Sequence, residues 1–168
     1  MAVVSQMYTE CKISRSKHVS LIRELYINLR EIDALEVKYI NRKNSNYGEN
    51  DFVNDILGED YQSRIVIDND KPLCVYGVSN TSLNGMHCIY FLGSKDFERS
   101  LTLQKQFVKV SRNIIGEWLQ TRECLFNYIH KENHRTIRWL KSLGAVIHYD
   151  INDGDMILFT LRKGDANV

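Results

Sequence analysis

Residues 133 to 145 read NHRTIRWLKSLGA. Ile137, Leu140 and Leu143 recur there at the three-and-four spacing that places apolar side chains on one face of a helix. Asn133 stands at the N-cap position, where its side-chain oxygen can accept one of the first free backbone N–H groups. Gly144 follows the last apolar position, where a helix ends most cheaply in the left-handed region open to glycine. The segment is read as a short helix with both ends specified, and replacing Gly144 by alanine is expected to cost roughly 1 kcal/mol. Arg135, Arg138 and Lys141 fall on the opposite face as a solvated basic run, and Trp139 is read as core bulk.

Working outward, ECLFNYI (123–129) before this helix reads as a strand, and AVIHYD (145–150) with MILFTLR (156–162) as a hairpin around NDGD. Upstream, Phe107, Val108, Ile114, Ile115, Trp118 and Leu119 form the apolar stripe of a long helix, with Lys105, Lys109 and Arg112 on another face. Before that helix, RIVID (64–68), PLCVYGV (72–78) and HCIYFLG (87–93) are short runs rich in branched and aromatic residues. NDKP and NTSLNG separate them, the latter with the Asn84–Gly85 turn pair, so three strands in a meander are expected, with Pro72 at a strand start. MYTECKIS (7–14) reads as a first strand. Val19, Ile22, Leu25, Leu29 and Ile32 read as a long helix with room for a break. The polar stretch NRKNSNYGEN (41–50) is a loop between helices. DFVNDILGED is a short helix with Phe52, Ile56 and Leu57 on one side, closed by Gly58.

Strand, helices, three strands, long helix, strand, helix, hairpin is the order of an α/β protein with helices on both faces of a mixed sheet. The strand–helix–strand passage around residues 94 to 122 predicts that strands near 86–93 and 123–130 are parallel neighbours, splayed at their ends.

A length of 168 residues with 43% hydrophobic and 26% charged residues suits one domain over residues 1–168. A net charge of +1 supplies no global field towards nucleic acid or an anionic membrane. The cysteines Cys11, Cys74, Cys88 and Cys124 are dispersed without a CxxC pair and point to a reducing compartment. MAVVSQMYTECK lacks a basic region followed by a long apolar stretch, and no window approaches about 18 consecutive apolar residues, so a soluble, unexported protein is expected. His130 and His134 have H-x-x-x-H spacing, but His130 should end a strand and no third ligand is nearby, so no metal is expected. No G-x-S-x-G elbow, P-loop or dinucleotide fingerprint occurs.

From Ile129 to Gly144 the pattern I-x-x-x-N-x-x-T-x-x-W-L-x-x-x-G resembles the second cofactor motif of the GNAT acyltransferases, and the element order resembles theirs along nearly the whole chain. The resemblance implies a GNAT-like fold with a C-terminal hairpin and an acetyl-CoA site at Leu92, Gly93, Ser94, Lys95, Arg99 and Asn133. Asn133 keeps two readings, helix cap alone or CoA contact. Two departures stand out. Active members carry a Q/R-x-x-G-x-G/A turn whose backbone N–H groups hold the CoA pyrophosphate, whereas here GSKDFERSL (93–101) retains only Gly93. Asp96 and Glu98 would repel an anion; Lys95 and Arg99 compensate in part. Leu140 occupies the place of a tyrosine that protonates the departing thiolate in many members, and leucine cannot be an acid. HCIYFLG contains no carboxylate, only His87, Cys88 and Tyr90 as titratable groups, so no catalytic residue is assigned. Acetyl-CoA binding is expected to be weak or lost.

A narrower resemblance covers roughly the last two thirds of the chain: RIVIDNDKPLCVYGVSN, HCIYFLGSKDFERSL, NYIHKENHRTIRWLKSLGAVIH and LFTLRKG look like the GNAT-like gene 13 products of T7-like bacteriophages. These are internal virion or virion assembly proteins. The resemblance implies a phage protein in the cytoplasm of the infected bacterium or with the virion, acting in assembly or host takeover through phage or host proteins. Two other functions are open: an active acetyl-CoA-dependent N-acetyltransferase acting on a protein or small amine, with a phosphate cradle rebuilt from Lys95 and Arg99, and, with least support, a nucleic-acid binder using the two basic helix faces.

Overall fold

The computed structural model describes residues 8–168; Met7 of the first expected strand and the rest of the N-terminal stretch lie outside the described residues. The elements in chain order are β1 (Thr9–Lys12), α1 (Arg15–Ile27), α2 (Glu31–Ile40), α3 (Glu49–Leu57), β2 (Tyr61–Asp68), β3 (Lys71–Leu83), β4 (Met86–Gly93), α4 (Lys95–Arg99), α5 (Leu101–Gln120), β5 (Cys124–His130), α6 (His134–Ser142), β6 (Val146–Asp153) and β7 (Met156–Arg162). The strands form one sheet in the order β1-β2-β3-β4-β5-β7-β6. Every neighbouring pair is antiparallel except β4 with β5.

Turn chemistry sets the meander. Asn69 and Asp70 (φ 47° and 62°) join β2 to β3, and Asn84 with Gly85 (φ 51° and 78°) joins β3 to β4. Paired positive φ values match the right-handed twist of the strands they connect. NTSLNG, expected to separate two strands, does so only at Asn84–Gly85; Asn80–Leu83 belong to β3, whose register shifts between Val78 and Ser82. Pro72 stands at the start of β3, as expected.

The expected break in the first helix falls at Asn28–Arg30. There Leu29 bridges to Ser94, and the Arg30 N–H donates to the Gly93 carbonyl at 2.9 Å, so the chain leaves its helix to pair with the end of β4. The second long helix is α5, with the short α4 before it. Ser100 ends α4 and caps α5 by accepting the Leu103 N–H. Its buried face is Leu103, Ser111, Ile115 and Leu119, and Val108, read as part of the stripe, is 38% exposed.

Helices cover both faces of the sheet. Ile22, Leu25, Phe52 and Val53 of α1 and α3 pack on Ile65, Val75 and Leu92, while Ile115, Leu119, Ile137 and Leu140 of α5 and α6 pack on Leu125, Ile129 and Phe159. β4 and β5 pair only at His87–Leu125 and Cys88–Phe126 and then diverge, which is the expected splay.

Asn133 caps α6 by accepting the Thr136 N–H at 3.4 Å, and Ile137, Leu140 and Leu143 are buried as read. Gly144 has φ +91° and ends the helix, but backbone conformation is only part of its role. A Cβ there would lie 2.2 Å from the Asp165 carbonyl oxygen, because the C-terminal residues fold over the helix end and Asn167 N–H closes the Leu143 carbonyl. The expected cost of about 1 kcal/mol for Gly144→Ala is therefore too small. Chemical denaturation should show a loss of about 2–3 kcal/mol; a loss below about 1 kcal/mol would mean that the C-terminal residues yield freely.

Candidate functional site

Where β4 and β5 part, their facing backbone groups lose ladder partners, and buried unpaired groups are costly. The Asn127 side chain fills the gap: its amide donates to the Ile89 carbonyl at 2.7 Å and its oxygen accepts the Tyr128 N–H at 2.7 Å. Around this gap lies a cavity of about 330 Å³, walled on one side by Glu36 and Val37 of α2 and on the other by Phe107, Ser111 and Trp118 of α5 and Trp139 of α6.

At the exit of β4 the backbone donors are already used. Gly93 N–H donates to Asp33 Oδ2 at 2.7 Å, Ser94 N–H to the Leu73 carbonyl at 2.8 Å and Lys95 N–H to the Asn28 carbonyl at 2.9 Å. Phe97 N–H donates to the Ser94 hydroxyl oxygen at 3.1 Å. Asp33 is held in turn by Arg30, whose Nε and Nη2 donate to its two oxygens at 2.7 Å each, with the guanidinium 5.3 Å from the Phe91 ring centre. Both side chains are buried. Burial lowers the Arg30 pKa, but the bond and charge of Asp33 outweigh it and hold the pKa above its ordinary value. Such a pair is stable only while both members and their hydrogen bonds are in place.

The aromatic side chains close the space between α5 and α6. Phe91 lies 4.8 Å from Phe107 and 6.5 Å from Trp139 between ring centres, and the Trp139 indole N–H donates to Ser111 Oγ at 3.0 Å. Trp139 is thus more than the core bulk read from the sequence: it ties α6 to α5 and walls the cavity.

Of the residues expected to hold a cofactor, Leu92 and Asn133 line the cavity, whereas Gly93 and Ser94 are buried in the turn. Lys95 begins α4, and Arg99 is exposed with its guanidinium 3.9 Å from the Asp96 carboxylate. Asn133 has a second task besides capping. Its side-chain amide donates to Glu36 Oε1 at 3.0 Å, which also accepts the His130 N–H at 3.0 Å. Burial, with the charge of Asp33, pushes the Glu36 carboxyl up to about 7 against the pull of these two bonds. Cys88 and Tyr90 line the cavity with pKa values raised by burial, so neither is poised as a nucleophile or base. His130 and His134 do not converge: His130 Nδ1 accepts the Glu132 N–H, while the exposed His134 ring meets the Glu132 carboxylate.

Sequence reasoning missed Arg30, Asp33 and Glu36. A signal was present: Asp33 continues the four-residue spacing of Leu25 and Leu29, so a carboxylate sits on the apolar stripe with Arg30 one turn before it.

The architecture superposes on the ribosomal-protein-S18-alanine N-acetyltransferase of Escherichia coli with a TM-score of 0.61, covering 93% of this chain and 94% of that one at 12% identity. The fold is the GNAT fold. The PaiA N-acetyltransferase of Thermoplasma acidophilum, solved in complex with coenzyme A, gives a TM-score of 0.57 over 92% of this chain and 98% of that one at 11% identity. A family model described as "Bacteriophage T7, probable scaffold protein Gp13" matches residues 74–151 of this chain. The "Probable scaffold protein gp13" of Escherichia phage T7 is 31% identical over 81 residues, which are 48% of this chain. The chain spans 59% of the length of that curated relative. The family match runs from β3 into β6 and takes in the β4 exit and α6, but not α2 with Arg30, Asp33 and Glu36.

Glu36 gives a test of the cavity's electrostatics. Its folded pKa of about 7 exceeds the ordinary 4.5, so between these values the folded state binds more protons than the unfolded one, and stability falls as pH rises through that window. Glu36→Gln keeps an oxygen acceptor for both N–H donors without the charge. Its melting temperature should exceed that of the parent protein above the window and match it near the lower edge; an equal difference at both ends would show that Glu36 does not titrate there.

Proposed function

We propose that this is a phage protein that uses the GNAT fold as a platform for protein contacts in virion assembly or host takeover, in the host cytoplasm or with the virion, its acetyl-CoA site closed by the chain's own acceptor groups. The observation that carries this reading is the β4 exit, where Asp33, Leu73, Asn28 and Ser94 accept the N–H groups of Gly93, Ser94, Lys95 and Phe97. A pyrophosphate seeking those donors meets a buried carboxylate in their place. The partial match to a phage scaffold protein supports protein partners. The balanced charge gives nucleic acid no general attraction, and among the described residues no helix is long and apolar enough to cross a membrane.

A second reading, an active N-acetyltransferase, is favoured by one observation: the cavity reaches the gap between β4 and β5 and carries Glu36, whose pKa of about 7 suits a general base. Lys95 and Arg99 would then rebuild the phosphate cradle. Titration calorimetry with acetyl-CoA separates the two. No saturation is expected below about 1 mM, a free energy weaker than about −4 kcal/mol, and intact mass of the purified protein should show no retained CoA. Binding in the low micromolar range that is lost on replacing Lys95 and Arg99 together by alanine would establish the second reading instead.

A further inference from the structure

The cavity around the β4–β5 gap carries an unbalanced charge. Its wall holds the carboxylates of Glu36, Asp55 and Asp60, and Arg30 is its one cation among the described residues. Arg30 is already committed, through two hydrogen bonds, to Asp33. Glu36 accepts the His130 N–H and the Asn133 side-chain amide, and Asp55 accepts the Tyr47 hydroxyl at 2.8 Å. These donors orient the carboxylates but bring no positive charge, and the part-buried Glu36, paired only with neutral groups, is the carboxylate that gains most from a cation.

The rest of the wall is rich in aromatic rings, among them Tyr61, Tyr90, Phe91 and Tyr128. A guanidinium stacks on such rings, is weakly hydrated for a cation, and pairs with a carboxylate through two parallel N–H bonds; an ammonium is more strongly hydrated and lacks the planar fork. A space of about 330 Å³ accommodates a side chain, not an element of secondary structure. Asp55 and Asp60 are exposed, so they would also favour basic residues flanking the inserted one.

We propose, resting on the protein-contact reading above, that the cavity is a socket for an arginine side chain presented by a basic, extended segment of a partner protein. Glu36 is the anchor, and Asn133 is the positioning residue that holds it.

The probes are three capped pentapeptides, Gly-Gly-X-Gly-Gly, with X arginine, lysine or citrulline, the last being the neutral counterpart of arginine. Binding is read by the fluorescence of Trp118 and Trp139, which line the cavity, and by calorimetry. The arginine peptide should saturate the protein, with citrulline and lysine peptides at least about tenfold weaker, a difference of about 1.4 kcal/mol. Glu36→Gln should weaken the arginine peptide by a similar factor while remaining folded by thermal melt. Asp55→Asn, outside the core, should weaken it less. Absence of saturation by the arginine peptide, equal binding of citrulline or lysine, or indifference to Glu36→Gln would overturn the socket. Acetyl-CoA titrated into the same samples keeps the readings apart: its tight binding sinks the closed-cofactor-site reading whatever the peptides do, whereas silence from both ligands sinks the socket alone.

Discussion

The buried pair of Arg30 and Asp33, closed onto the Gly93 backbone, is the contact on which the arrangement of this molecule depends. Two charges are withdrawn from water, and their cost is offset by two N–H bonds from the guanidinium, one from Gly93, and the Arg30 backbone N–H on the Gly93 carbonyl. The pair therefore pins the break between α1 and α2 to the end of β4. From that point α2 runs beside the β4–β5 gap, with Glu36 and Val37 on the cavity.

From this one constraint come two opposite effects on the site. Asp33 is the acid that accepts the Gly93 N–H at the β4 exit. One turn later the same helix delivers Glu36 to the cavity, where His130 and Asn133 hold it. Both carboxylates are thus on one helix, and removing the ion pair would disturb both. The aromatic wall of Phe91, Phe107 and Trp139 lies on the far face of the sheet. The frame is shared with transferases, and function resides in the local groups placed on it.

Much of the frame was legible in the residues themselves. The α6 segment shows why: its cap, its apolar spacing and its terminal glycine each act within a few residues, and all three stand where they were read. The Asn84–Gly85 turn and the parallel partners β4 and β5 follow from turn chemistry and element order in the same way. Where the reading slipped, a distant contact had overridden a local one. Val108 fits the apolar period of α5, yet the helix presents Ser111 to the core so that Trp139 can bond to it. Gly144 reads as a conformational need, yet it also yields space to the Asp165 carbonyl.

The sequence by itself determined most of the elements, their order, the mixed sheet and the departure of residues 93–101 from the Q/R-x-x-G-x-G/A pattern, because periodicity, caps and turn residues express forces that act over a few bonds. Only the tertiary structure decided what fills that turn and what lines the gap. Asp33 meets Gly93 across 60 residues, and Glu36 meets His130 and Asn133 across 94 and 97. A carboxylate read alone on a helix is a solvated charge; its burial, its partner and its shifted pKa exist only once distant segments have excluded water from it.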